Sequence, residues 1–270
     1  MKRNDFAGHV ALVTGASSGL GAEFARQLHG MGADLIIVAR RQALLHELQS
    51  ELEQRRANSV RTLTIDLVDG EQLAGLIRMV KQERIDILIN NAGKGCFNAF
   101  SESPELAQSE MIDLNMRAPT MLLHAVLPQM AQRRQGFVVN VASIAAFSPS
   151  PYLAVYSASK AYLLSLTISL RHELRDKGIR MTALCAGATE TEFTAAAGVP
   201  RQAVEKVPHL SPRFVVGQCL DALQDNQARV TPGAMNRIVG WLQRALPATW
   251  SASVFGAFLG KFAGRTDKTA

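Results

Sequence analysis

At 270 residues the chain can bury one substantial core and is close to the upper size of a single domain; its content, 47% hydrophobic and 19% charged, is that of an ordinary globular protein. The formal net charge of +6 comes from basic residues that occur in runs no longer than a pair, which argues against a nucleic-acid partner and leaves a phosphorylated cofactor or an anionic surface as uses for the excess. Three widely spaced cysteines (Cys96, Cys185, Cys219) and six scattered histidines suggest neither a disulfide framework nor a metal site. No run of about 18 apolar residues marks a membrane span, and Met1–Asp5 leads into a strand-like run instead of a signal peptide's apolar region, so a cytoplasmic location is expected.

Short apolar runs then alternate with longer segments of helical spacing. His9–Val13 precedes a helical stretch at about 18–30, Leu35–Ala39 one at 42–57, and Val60–Ile65 one at 69–83. Ile85–Ile89, Phe137–Val141 and Met181–Leu184 continue the series, and a long helix is expected over about 152–177. Such alternation predicts parallel β-α units: an α/β doubly wound parallel sheet, Rossmann-like, with ligands at the carboxyl ends of the strands. Residues 1–232 are expected to form this dinucleotide-binding and catalytic domain, ending in a helix from about Ser211 and a short strand at Ala228–Val230. Residues 233–270 read as a C-terminal helical extension.

The first apolar run ends in Thr14-Gly15-Ala16-Ser17-Ser18-Gly19-Leu20-Gly21, just before a helix. Glycines there allow backbone angles barred to other residues, and the amides at the helix start attract phosphates. The segment Gly15, Ser17, Ser18, Gly19, Leu20 and Gly21 is therefore a candidate pyrophosphate cradle. The second run ends in Arg40-Arg41 with no acid. A carboxylate there would bond the ribose hydroxyls of NAD, whereas a guanidinium can grip a 2′-phosphate. NADP(H) is the expected cofactor, with Arg40 the main contact and Arg41 a second; the alternative is that both are surface charges. Asp66-Leu67 closes the third run. Asn90-Asn91-Ala92-Gly93 closes the fourth, its small residues permitting close backbone approach and its asparagines able to tie strands together.

Tyr156 and Lys160 are four apart in the long helix and share one face. A free phenol has a pKa of about 10. A nearby lysine cation is expected to lower it toward a useful proton-transfer range and to bond the nicotinamide ribose. Ser143 follows the fifth strand, where its hydroxyl can hold a substrate oxygen beside the phenol.

In this order, over about the first 193 residues, the chain resembles the short-chain dehydrogenase/reductase family. The resemblance implies hydride exchange between a nicotinamide and a small-molecule carbonyl or alcohol, with Tyr156 as acid and base and a homodimer or homotetramer as the assembly. It implies that Asp66 (hydrogen bonding) and Leu67 (packing) meet the adenine, with capping of the next helix as the alternative for Asp66. Asn91, Ala92 and Gly93 would lie at the adenosine ribose. Asn115 would hold a water that links Lys160 to solvent, or else be a buried, helix-distorting amide. Gly187, Thr189 and Thr191 would border the nicotinamide, although the family's proline is replaced by Ala186 and Thr189 stands where an aliphatic residue is usual. A non-catalytic dinucleotide-binding sensor on the same fold is the alternative function.

The expected substrate wall is apolar, from Ile144–Phe147, Pro149, Pro151 and Leu153 to Phe193 and Val199, which favours a lipophilic substrate. Beyond Gly233 two helices are expected, split at Pro247. The first carries Ile238, Trp241, Leu242 and Leu246 with Arg237 and Arg244, and the second Trp250, Val254, Phe255, Phe258, Leu259 and Phe262. Three uses stay open: packing or a lid over the cleft, an oligomer contact, and peripheral membrane attachment.

Overall fold

Each apolar run pairs in parallel with its neighbours. β1 (Val10–Thr14), β2 (Asp34–Ala39), β3 (Val60–Thr64), β4 (Ile87–Asn90), β5 (Gly136–Val141), β6 (Ile179–Leu184) and the two-residue β7 (Arg229–Val230) form one sheet in the order β3-β2-β1-β4-β5-β6-β7. The structure, a computed structural model, describes residues 5–205 and 207–263; the part of the expected extension from 264 to 270 lies outside the described residues. The register sets Leu12 beside Ile36 on one side and Leu88 on the other.

The helices are α1 (Gly19–Gly30), α2 (Gln42–Glu53), α3 (Gly70–Gln82), α4 (Glu105–Ile112), α5 (Ala118–Arg133), α6 (Ala154–Glu173), α7 (Phe193–Ala196), α8 (Arg201–Val204), α9 (Pro212–Gln224), α10 (Ala234–Ala245) and α11 (Ala248–Gly260). Strand side chains alternate between two core layers, as the pleat requires. Ala11, Val13, Leu35 and Ile37 face Phe24, Leu28, Leu45 and Leu220 on one side, while Leu12, Ile36 and Val38 face Leu73, Leu76, Leu122 and Val126 on the other.

Residues 94–136, for which the sequence pattern predicts no element, hold α4 and α5 joined through five residues of wider, π-type winding, Asp113–Arg117. Their apolar period is blurred. In α5, Ala118, Pro119, Leu122, Leu123, Ala125, Val126, Leu127 and Met130 are all buried, so burial wraps around the helix instead of marking one stripe. Elsewhere the element ends differ from expectation by a few residues, most at α2, which stops at Glu53 instead of 57, and at α6, which stops at Glu173 instead of 177. β1 and β4 are neighbours at the point where strand order reverses, so the crevice opens where the glycine loop and the segment Asn90–Gly93 meet.

Candidate active site

Thr14, at the end of β1, stitches the two strand ends together. Its Oγ1 donates to the Ile89 carbonyl (3.2 Å) and accepts from the amides of Asn91 (3.0 Å) and Ala92 (3.1 Å). Asn91 Nδ2 donates to the carbonyls of Thr14 (2.9 Å) and Gly15 (3.1 Å), and Asn90 Nδ2 donates to Asn140 Oδ1 (2.9 Å) across to β5. The asparagines thus tie strands together as expected. Gly15 is left-handed (φ +66°), and a Cβ there would stand 2.9 Å from Ala92 Cα; a Cβ on Gly21 would stand 2.2 Å from the Gly15 oxygen. The glycines are therefore dictated by close packing of the loop on itself and on β4. Ser18 sits at the N-cap of α1 without a side-chain cap bond, which leaves the first-turn amides facing the crevice mouth.

Both arginines expected at a 2′-phosphate stand at the end of β2, but they are held differently. Arg41 reaches into the glycine loop, donating to Ser17 Oγ (3.1 and 3.2 Å) and Ser18 Oγ (2.6 Å), and pairs with Glu192 at 2.9 Å. That hydrogen bond holds the Glu192 carboxyl below its usual range. The Arg40 side chain is two-thirds exposed and pairs loosely with Asp66 at 3.7 Å. Arg41, not Arg40, is the anchored one. The capping alternative for Asp66 is overturned: Asp69 caps α3, accepting from the Glu71 and Gln72 amides, while Asp66 accepts from Val68 N (3.0 Å). Leu67 is buried in the core layer with Val38 and Leu73, so its side chain is committed there and Asp66 is the member of the pair left at the surface.

α6 presents Tyr156 and Lys160 one turn apart, and Ser143 begins a short 3-10 turn after β5. The Ser143 hydroxyl lies beside the Tyr156 phenol. Ser143 Oγ donates to the Ala186 carbonyl (3.3 Å) and accepts from Ala145 N (3.1 Å), which fixes its direction. Lys160 Nζ donates to the Val141 carbonyl (2.8 Å) and lies 5.8 Å from the centre of the Tyr156 ring. Asn115 is buried in the π-type turn. Its Oδ1 accepts from Lys94 N (3.0 Å), and its Nδ2 donates to the Lys94 carbonyl (2.9 Å) and to Ser159 Oγ (3.0 Å). A Cβ on Gly93 would stand 3.1 Å from Asn115 Oδ1 and 3.2 Å from Lys160 Nζ, so both groups converge on the end of β4.

The expected depression of the phenol is not what this site produces. Burial pushes Tyr156 up to about 12, the Ser143 hydroxyl opposing only part of that, and burial brings Lys160 down to about 8. Loss of water penalises both charged forms, and the ammonium is bound to a backbone carbonyl instead of being turned on the phenol.

The segment after β6 closes over the cleft. The Thr191 methyl lies 3.0 Å from where a Cβ on Gly19 would be, and the Phe193 ring is 5.4 Å from that of Tyr156 at 44°. Thr189 is buried and donates to the Gly187 carbonyl (3.1 Å). A Cβ on Gly187 would come 2.4 Å from Asn236 Oδ1, so this glycine also accommodates α10. Phe147 does not join the expected substrate wall. It is wedged between Gly240 of α10 and the Arg229 guanidinium, 5.3 Å from its ring. Among the described residues no group of three or more histidines, cysteines or acids is placed to hold a metal, and no helix is long and apolar enough to cross a membrane.

A family model described as short chain dehydrogenase matches residues 9–201. The chain belongs to the short-chain dehydrogenase/reductase family. An uncharacterized oxidoreductase of Staphylococcus saprophyticus is 35% identical over 187 residues, covering 68% of this chain and 80% of that one. A very-long-chain 3-oxoacyl-CoA reductase of Laccaria bicolor is 37% identical over 176 residues, covering 64% of this chain and 52% of the other. Among solved structures, a short-chain dehydrogenase from Sphingobium yanoikuyae in complex with NADPH superposes with a TM-score of 0.80 at 30% identity, covering 97% and 98% of the two chains.

Three residues of this short-chain dehydrogenase/reductase site escape sequence reasoning. Glu192 meets Arg41 across 151 positions of chain, and Asn236 meets Gly187 across the start of α10, so neither leaves a local signal. Ser159 does leave one: three residues after Tyr156, it donates to the Tyr156 carbonyl (2.7 Å) and accepts from Asn115, and its place between Tyr156 and Lys160 is readable.

Proposed function

We propose that this chain is an NADP(H)-dependent oxidoreductase that interconverts a carbonyl and an alcohol on a lipophilic substrate. The observation that carries the reading is the Ser143 hydroxyl set beside the Tyr156 phenol, which lies against Phe193, one helical turn from a buried lysine that faces the end of the glycine crevice. The residues fit a nicotinamide dinucleotide: Gly15, Gly19 and Gly21 leave the crevice floor as bare backbone before the free amides of α1, and at Gly93 a side chain would press on Lys160 and Asn115.

Gly15, Ser17, Ser18, Gly19, Leu20 and Gly21 hold the pyrophosphate, and Arg41 with Arg40 the 2′-phosphate. Asp66 borders the adenine, with Leu67 reaching it only through its backbone, and Asn91, Ala92 and Gly93 border the adenosine ribose. Tyr156 and Lys160 hold the nicotinamide ribose, with Gly187, Thr189 and Thr191 around the ring. When bound, the nicotinamide supplies or accepts the hydride. The protein does the rest. Ser143 and Tyr156 bracket the substrate oxygen. Tyr156 is protonated at neutral pH, as any phenol would be, and burial raises it further, which suits it to donate in the reductive direction. Lys160, brought to about 8, exchanges a proton readily near neutrality, and the Asn115–Ser159–Lys94 hydrogen bonds hold the polar route beside it.

Phe193 against the phenol, and the long acyl substrate in the name of the Laccaria relative, support a lipophilic substrate. The test is NADPH and NADH consumption with aldehydes and ketones graded by chain length and ring size. Preference for NADPH and a rate that rises with apolar size are expected. Turnover confined to small hydrophilic carbonyls, or absent throughout the panel, would refute the reading.

A further inference from the structure

α10 is folded against the body with most of its large apolar side chains outward, while α11 keeps Phe255 and Leu259 half-buried, with Phe262 beyond it buried. α10 buries Gly240 and Gln243 and turns Met235, Ile238, Trp241 and Leu242 to solvent; Leu246, Trp250 and Val254 continue the exposed face across the turn at Pro247 into α11. Gln243 Oε1 and Ser251 Oγ are buried without hydrogen-bond partners. Three of the contacts that hold the pair down are made by glycines. Gly240 lies on Phe147, where a Cβ would come within 2.7 Å of the ring, Gly256 lies on Pro151, and Gly260 lies on the Tyr152 hydroxyl. A helix that only packs on its own domain buries its apolar stripe. Here the stripe faces outward, so these contacts do not account for it.

The chain has two tryptophans, and both are on this face, Trp241 65% and Trp250 66% exposed. Arg237 and Arg244, seven apart and exposed, run along one edge of the α10 stripe, with Lys261 beyond α11. From Asn226 to Ala263 there is no acidic residue. Asp221 and Asp225 of α9 line a cleft of about 560 Å³ that Arg237, Trp241 and Arg244 also border. A second copy docked by a two-fold axis on this face would meet only cations from the same segment, which is unfavourable. An anionic bilayer offers what both halves of the surface need, a headgroup layer for the arginines and an apolar boundary for tryptophan, isoleucine and leucine.

We propose that the outer face of α10 and α11 is a docking surface for an anionic lipid bilayer, held by Trp241, Trp250 and Ile238 with Arg237 and Arg244 at its rim. Because the two helices roof residues 147–152, between β5 and α6, the membrane would lie on the side of the molecule that carries the substrate wall. The docking itself does not depend on the reaction assigned to the cleft.

The full chain is mixed with vesicles of equal parts phosphatidylcholine and phosphatidylglycerol, and separately with phosphatidylcholine alone. Sedimentation and tryptophan emission are read at low and high salt. The expected result is retention on the anionic vesicles, weakened by salt, with emission shifted to the blue; since the only two tryptophans are on the face, the emission reports on it directly. Trp241→Ser with Trp250→Ser should lose retention. Arg237→Gln and Arg244→Gln should each weaken binding to the anionic vesicles about fivefold. All four positions are exposed, so folding, checked by thermal midpoint, should change little. Two results would overturn the proposal: no retention on anionic vesicles at low salt, or a lipid-free dimer with blue emission that Ile238→Asp splits, which would make a second copy the occupant.

Discussion

Burial decides the protonation of the two central groups. Tyr156 is pushed up to about 12 and Lys160 down to about 8, each because its charged form has lost water. Carbonyl reduction should therefore be level through neutral pH and fall as pH rises through about 8, where the ammonium is lost while the phenol stays protonated. Lys160→Arg, which keeps the cation, should remove that alkaline limb; kcat profiled from neutral to alkaline pH for both proteins checks it, and a wild-type profile without the limb would count against the role given to Lys160. The same shift has a stability consequence of opposite sign. Between about 8 and the ordinary lysine value of 10.5 the unfolded chain holds the extra proton, so the Lys160 contribution to stability improves as pH rises through that window. Gly93 is the other single position on which the geometry turns. Gly93→Ala places a methyl 3.1–3.2 Å from Asn115 Oδ1 and Lys160 Nζ. A displaced lysine should lower kcat about ten- to a hundredfold, with the thermal midpoint nearly unchanged.

Among the elements, what could be read from sequence is what is local. The glycines at 15, 19 and 21, the Asn90–Gly93 string and the four-residue spacing of Tyr156 and Lys160 each lie within one loop or one helical turn, and the structure sets them around one crevice. What could not be read depends on segments that meet across the fold. The rank of the two arginines is one case: nothing near Arg41 announces that Ser17, Ser18 and Glu192 will surround it. The phenol's shift is another, since it follows from burial that Phe193 and the roof of the cleft supply. Arg41→Ala should cost more NADPH affinity than Arg40→Ala, by about 1.5–3 kcal/mol for the lost charge-assisted bonds. It should also free the segment around Glu192, seen as faster proteolysis there; equal losses in binding titrations of the two variants would contradict the ranking. Gly187→Ala, aimed at Asn236 Oδ1 2.4 Å away, should destabilise the fold by about 1–3 kcal/mol. In an Asn236→Ala background the loss should be smaller, and denaturant midpoints of the two pairs measure the difference.

On the scale of the whole molecule, the alternation of short apolar runs and helical spacing was enough to give a doubly wound parallel sheet, because strands buried on both faces are continuous apolar runs. It was not enough for α4 and α5, whose all-round burial hides the helical period, nor for the direction in which α10 turns its apolar stripe. Ala186, where the family resemblance leads one to expect proline, has a carbonyl that accepts from Ile144 N (2.9 Å) and Ser143 Oγ (3.3 Å), which ties the end of β6 to the turn that Ser143 begins. The assignment of chemistry to this assembly rests on Tyr156 donating the proton. The direct measurement compares wild type with Tyr156→Phe for NADPH binding, by fluorescence titration, and for NADPH consumption with an apolar ketone that the wild type reduces. Binding within a few-fold of wild type and a rate lower by about 10²–10⁴ are expected; near-normal turnover by Tyr156→Phe would contradict the account.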